Sequence, residues 1–80
     1  MQTIEERVKD ILADRLNVKP QHVTPEATLR RDLGADSLDE LELSVDFLEE
    51  FDIDLTDTEL SQANTVQGIV DLIRRKTHEN

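Results

Sequence analysis

Asp32-Leu33-Gly34-Ala35-Asp36-Ser37-Leu38-Asp39, running on into Glu40-Leu41-Glu42-Leu43-Ser44-Val45-Asp46-Phe47-Leu48-Glu49-Glu50-Phe51, is the stretch that decides the fold. Gly34 releases a loop directly ahead of a helix. Asp36 is an N-cap candidate, and Asp39 places negative charge in the first turn, where it suits the helix dipole. The helix runs from about Ser37 to Phe51. Ser37 stands in its first turn with the hydroxyl outward. The leading N–H groups of a helix have no intrahelical partner and carry partial positive charge, so a phosphate held there is stabilised. Such a serine is a handle.

The same helix carries two apolar stripes. With Leu38 at zero and about 100° per residue, Leu41, Val45 and Leu48 fall near 300°, 340° and 280°, whereas Leu43, Phe47 and Phe51 fall near 140°, 180° and 220°. Asp39, Glu42, Asp46, Glu49 and Glu50 fill the arc between them. One stripe faces the core of so small a protein, and the stripe with both aromatics is the better candidate. The Leu38-Leu41-Val45-Leu48 stripe, which begins beside Ser37, is then a contact surface. Its spacing suits helix-in-groove recognition, with Asp36, Asp39, Glu42, Asp46 and Glu49 available to basic groups of a partner.

Working outward, Thr3 and Glu6 form a capping box, and Ile4, Val8, Ile11, Leu12 and Leu16 follow at helical spacing, so residues 4 to 16 read as the first helix. Pro20, Pro25 and Gly34 forbid a continuous helix over residues 17 to 36. A loop of that length in a compact domain is functional or pinned. Val18, Val23, Leu29 and Leu33 are the expected pins, and Thr24-Pro25 the expected start of a single helical turn. Thr56 and Glu59 make another capping box and open a short helix through Ala63, with Leu55 and Leu60 inward. Thr65 caps a last helix whose Val66, Ile69, Val70, Leu72 and Ile73 pack inward and whose Arg74-Arg75-Lys76 suits the dipole. Gly68 inside it costs about 1 kcal/mol relative to alanine. The expected fold is all-α, a small four-helix bundle of three main helices and one short helix with a long first loop, in a single domain over residues 1 to 80.

Composition narrows the chemistry. A chain of 80 residues buries only about 60% of the surface its unfolded form exposes. With two Phe, no Trp and no Tyr, its core is built from Leu, Ile and Val. No cysteine is present, so a thiol, if one is needed, arrives on a cofactor. No apolar run approaches a membrane span, and the N-terminus reads as an amphipathic helix start instead of a signal peptide, so the expected protein is intracellular. A net charge of −10 excludes nucleic acid as a partner. Between residues 32 and 73 stand Asp32, Asp36, Asp39, Glu40, Glu42, Asp46, Glu49, Glu50, Asp52, Asp54, Asp57, Glu59 and Asp71 with no Lys or Arg among them. Exclusion of basic residues beside the serine argues for basic partners steered in electrostatically.

Other motifs fail. Asp52, Asp54, Thr56 and Asp57 imitate a calcium loop, but Asp57 stands where the loop needs Gly and Ala63 where it needs a bidentate Glu. A serine hydrolase needs a base beside its nucleophile, and the histidines are His22, in the loop, and His78, near the end, both read as surface residues. The glycine after serine that a nucleophile elbow requires is missing. No Cys or paired His offers a metal site. No catalytic residue and no metal ligand is assigned.

From Thr3-Ile4-Glu5-Glu6-Arg7-Val8-Lys9 through Leu16-Asn17-Val18-Lys19, Asp32-Leu33-Gly34-Ala35-Asp36-Ser37-Leu38-Asp39, Glu49-Glu50-Phe51-Asp52 and Thr65-Val66-Gln67, nearly the whole chain resembles the acyl carrier proteins of dissociated fatty acid synthesis. The resemblance implies a carrier and not an enzyme. In that family the serine of the Asp-Ser-Leu motif bears 4′-phosphopantetheine, and Ser37 is the position that matches. It implies further that a separate Mg-dependent phosphopantetheinyl transferase loads Ser37. The arm's thiol then holds acyl chains as thioesters and presents them to acyl-processing enzymes with basic docking patches, which grip the second helix. A cytoplasmic monomer is expected. The family shelters acyl chains inside the bundle, which here implies a pocket near Leu43, Phe47, Leu60, Ala63 and Ile69.

The chain departs from the family pattern at Arg30-Arg31, where apolar and acidic residues are usual, at Asp46 in place of a small apolar residue, and at Leu48 in place of an acid. Thr56 replaces a frequent proline, and Phe47 a frequent leucine. These changes leave Ser37 in place and bear on the partner set and the pocket size. A dedicated carrier for polyketide or specialised lipid synthesis is the close variant. An unmodified acidic helical module binding a basic partner is the rival from another class, and it leaves the Gly-Ala-Asp-Ser-Leu context unexplained.

Overall fold

The computed structural model describes residues 3–78, with the side chain of His78 outside that description. Three capping boxes set the starts of the first three helices. Thr3 accepts from Glu6 N–H and begins α1 (Ile4–Leu16). Asp36 accepts from Asp39 N–H and begins α2 (Ser37–Phe51). Thr56 accepts from Glu59 N–H and begins α3 (Asp57–Ala63). Thr65 Oγ1 accepts from Gly68 N–H at 3.0 Å ahead of α4 (Val66–His78). The helix ends use left-handed residues, Asn17 after α1, where the N–H groups of Asn17 and Val18 both donate to Ala13 O, and Asp52 after α2, whose N–H donates to Leu48 O.

The expected all-α bundle of three longer helices and one short one is what forms. α1 packs on α2 and α4, and α3 joins α2 to α4. The shared core holds Val8, Leu12, Leu43, Phe47, Leu60, Ile69 and Ile73, each 0% exposed. Phe51 packs at its edge, only partly buried, beneath the Arg7 guanidinium, which lies 4.8 Å from the ring centroid.

The long loop is pinned as its apolar residues required. Val23, Leu29 and Leu33 are buried and Val18 partly so. Backbone bonds tie it to the α3–α4 junction: Leu29 N–H donates to Asn64 O at 2.9 Å and Val66 N–H to Ala27 O at 3.0 Å. A lone antiparallel bridge joins Thr28 and Thr65. One local expectation is corrected. The helical turn lies at Pro20–His22, as a 3-10 turn with proline at its start. Thr24-Pro25 instead forms a β-turn closed by Ala27 N–H on Thr24 O at 3.1 Å, and Gln67 N–H occupies Pro25 O at 3.0 Å, which stops a helix from propagating there.

Gly68, inside α4 as expected, has a packing role beside its propensity cost. A Cβ there would stand 2.5 Å from Ala63 O, so the glycine lets α4 start against the end of α3. Its propensity cost is offset by that close approach.

Candidate functional site

The loop Thr28–Ala35 aims the start of α2. Asp32 Oδ2 accepts from Thr28 N–H at 2.8 Å, Ala35 N–H donates to Leu29 O at 2.8 Å, and Leu33 and Ala35 are buried beneath. Gly34 has φ 74°, the left-handed region that lets the chain turn outward between those two anchors. Asp36 then caps α2 while Asp39 returns a bond to Asp36 N–H at 3.1 Å. Ser37 follows as the first helical residue, exposed. The capping acids tie down the helix end while Ser37 beside them stays exposed. Ser44, by contrast, turns its hydroxyl back onto Leu41 O at 2.6 Å.

The two stripes separate as the helical wheel requires. Leu43 and Phe47 are fully buried. Leu38, Leu41, Val45 and Leu48 are the exposed large hydrophobic residues, at 62%, 52%, 50% and 47%. A row of four on one side of one helix, starting next to Ser37, is a surface that no other described residue covers. Glu49 is exposed beside it and Glu42 half-buried.

Basic groups do reach this face in space, which corrects the reading that the serine's surroundings exclude them. Arg30 Nη2 donates to Ser37 Oγ at 3.1 Å. The same guanidinium grips Glu40, 3% exposed, through Nε at 3.1 Å and Nη2 at 2.8 Å. Glu40 raises the arginine's pKa further, through that hydrogen bond first and its charge second. Arg15, from α1, pairs with Asp46 at 2.8 Å and with Glu42 at 3.5 Å. Sequence reasoning missed these pairs. One signal was available for Glu40: on the wheel it falls near 200°, inside the buried stripe, where an acid requires a cation.

Of the five residues expected to line an acyl pocket, Leu43, Phe47, Leu60 and Ile69 meet in the closed core. Ala63 is half-buried and lines an open groove of about 560 Å³ with Glu59, Gln62, Gly68, Asp71, Leu72 and Arg75. Among the described residues no group of three His, Cys, Asp or Glu is placed to hold a metal ion. Nor is any helix there long and apolar enough to cross a membrane.

An exposed hydroxyl on a capped helix start, with a guanidinium donor 3.1 Å away, fits a phosphate ester. Comparison with known proteins agrees. Residues 6–73 match the family described as phosphopantetheine attachment site, which places the chain in the class of domains that bear this prosthetic group. Two proteins called acyl carrier protein, from strains Tuc7 and APS of Buchnera aphidicola subsp. Acyrthosiphon pisum, are each 45% identical to it over 76 residues, covering 95% of this chain and 95% of their own. The chain belongs to the acyl carrier protein family. It is a carrier and not an enzyme, and its prosthetic group is 4′-phosphopantetheine.

Proposed function

We propose that Ser37 is the attachment residue and that the protein carries acyl intermediates of fatty acid synthesis between the enzymes that process them. The observation that carries this reading is the placement of Ser37: an exposed first-turn serine on a capped helix, beside an exposed apolar row. In loading, the Ser37 hydroxyl gives up its proton and Oγ bonds the phosphorus of coenzyme A's pantetheine phosphate, displacing the nucleotide. A phosphopantetheinyl transferase with Mg performs that step. When bound, the group supplies a flexible arm and the thiol that this cysteine-free chain lacks. Asp36 and Asp39 keep the helix start rigid, so the arm leaves from a fixed point.

Delivery uses the α2 face. Leu38, Leu41, Val45 and Leu48 enter an apolar groove of each partner, while Glu42, Asp46 and Glu49 meet its basic patch. Between visits the acyl chain inserts among Leu43, Phe47, Leu60 and Ile69, entering past Ala63. These side chains are packed shut in the empty protein, so the chain must part them. The 80 residues act as a single cytoplasmic carrier domain, and the protein is a monomer.

Intact mass tests the assignment. Incubation with coenzyme A, Mg and a transferase should add about 340 Da, the mass of a phosphopantetheine ester. Ser37→Ala should add nothing while retaining helicity, since alanine is an excellent helix former. A mass gain that persists in that variant, or one mapping to Ser44 or Ser61, overturns it.

A further inference from the structure

Glu40 is an acid on the buried side of α2, 3% exposed. A charge at that depth needs a hydrogen-bonded partner. Arg30 supplies it from the loop with Nε on Oε2 at 3.1 Å and Nη2 on Oε1 at 2.8 Å, a two-point grip that fixes the plane of the guanidinium. Nη2 also reaches Ser37 Oγ at 3.1 Å. Its side chain remains 52% exposed while that of Glu40 is 4% exposed, so the fork is locked from below and open above. The cluster thus joins a loop arginine to two residues that stand one turn apart on α2.

We propose that Arg30, locked by Glu40, is a positioning residue for the phosphodiester on Ser37: it binds the anionic oxygens and sets the direction in which the arm leaves the protein. The proposal rests on Ser37 being the attachment residue. Esterification turns Oγ from a hydroxyl into a weak ester acceptor and places anionic oxygens one bond further out. A donor already aimed at Oγ then faces a stronger, charged acceptor. Glu40 offsets most of Arg30's charge at longer range, so the contact acts through a directed hydrogen bond and not through a net positive field.

The test uses the loaded protein, prepared with coenzyme A, Mg and a transferase. Intact mass comes first: without a gain of about 340 Da the attachment reading fails and this one with it. With the gain in hand, the phosphorus NMR resonance is compared in wild type, Arg30→Gln and Glu40→Leu, using the phosphopantetheine-bearing peptide cut from the protein as the freely turning diester. Wild type should be displaced from the peptide's position, and both variants should move back toward it. Glu40→Leu is decisive because it keeps Arg30 and removes a negative charge. Net charge alone would tighten the contact and carry the resonance further from the peptide, whereas loss of the lock carries it closer. Should Arg30→Gln unfold by leaving Glu40 unpaired, the double variant Arg30→Leu with Glu40→Leu removes both charges together and gives the same reading. A full mass gain with one resonance position across wild type and the folded variants overturns the positioning role and leaves the attachment standing. A Glu40→Leu resonance displaced further from the peptide overturns it equally.

Discussion

Arg15 on α1 grips Asp46 on α2 through both ends of its fork, Nε to Oδ2 and Nη2 to Oδ1, each at 2.8 Å. Two acids that flank the exposed apolar row therefore differ in kind. Asp46 is committed to a two-point pair between helices, while Glu42 touches the same arginine once, at 3.5 Å, with its side chain 45% exposed. Glu42→Lys should slow association with a basic partner by roughly 3- to 10-fold at low ionic strength, an effect that shrinks as salt screens it. Its melting temperature should fall less than that of the Asp46 variant, since its contact with Arg15 is single and longer. Asp46→Lys should slow association too, but should lower the melting temperature further, because it sets a lysine against Arg15 in place of the two-point pair. Stopped-flow association and thermal melts of both variants check this. Equal on-rates at low salt would reduce these acids to aids to solubility.

Gly68→Ala separates helix propensity from packing. Propensity alone favours alanine by about 1 kcal/mol in a helix interior. The Cβ would stand 2.5 Å from the carbonyl oxygen of Ala63 and 3.2 Å from Thr65 Oγ1, and the nearer contact is backbone that cannot swing aside. The variant should be destabilised by about 1 to 2 kcal/mol, as for other forced insertions into packed sites. Urea denaturation measures it, and a stabilised Gly68→Ala would mean that α4 shifts freely against α3.

How much of this was legible in the sequence follows from the range of each interaction. Capping boxes span three residues, so Thr3 with Glu6 and Thr56 with Glu59 fixed the starts of α1 and α3 before any packing was known. The wheel of α2 likewise separated Leu43 and Phe47 from Leu38 and Val45, because a helix fixes its own faces. The ion pairs were hidden. Arg15 lies thirty-one residues from Asp46 and Arg30 ten from Glu40, and only the crossing of α1 over α2 and the fold of the loop bring them together. Pro20 and Pro25 look alike to a local rule; the bond from Gln67 to Pro25 O, which decides between them, comes from the far end of the chain.

Glu59 gives the fold a dependence on acid. Thr56 N–H, first, and then Lys76 Nζ at 2.9 Å hold its carboxyl below the usual carboxylate range. The unfolded chain therefore takes up the proton first. Its contribution is complete above the ordinary glutamate value of about 4.3 and is lost as pH falls through the lower folded value. Glu59→Gln keeps a residue able to close the capping box while removing the charge. The stability gap between wild type and variant should be widest at neutral pH and should close below about pH 4. A gap that stays constant from neutral pH to pH 3 would show that Lys76 contributes nothing through this pair.

Phe47 should govern which acyl chains the carrier shelters. Its ring is 0% exposed and stands 6.2 Å from that of Phe51, centroid to centroid, with the planes tilted by 35°. It therefore fills volume in the middle of the cluster that also holds Leu43, Leu60 and Ile69. Leucine would leave part of that volume open, at a cost of about 1 kcal/mol in the empty protein, the usual range for a moderate core substitution. The same opening should admit longer chains with less displacement of their neighbours. Thermal melts of wild type and Phe47→Leu, each carrying acyl groups of increasing length on the Ser37-linked arm, compare the two. In Phe47→Leu the stabilisation should keep growing to longer chains than in wild type. Identical length profiles would mean that the acyl group does not reach Phe47, and the entry past Ala63 would then lead only into the open groove between α3 and α4.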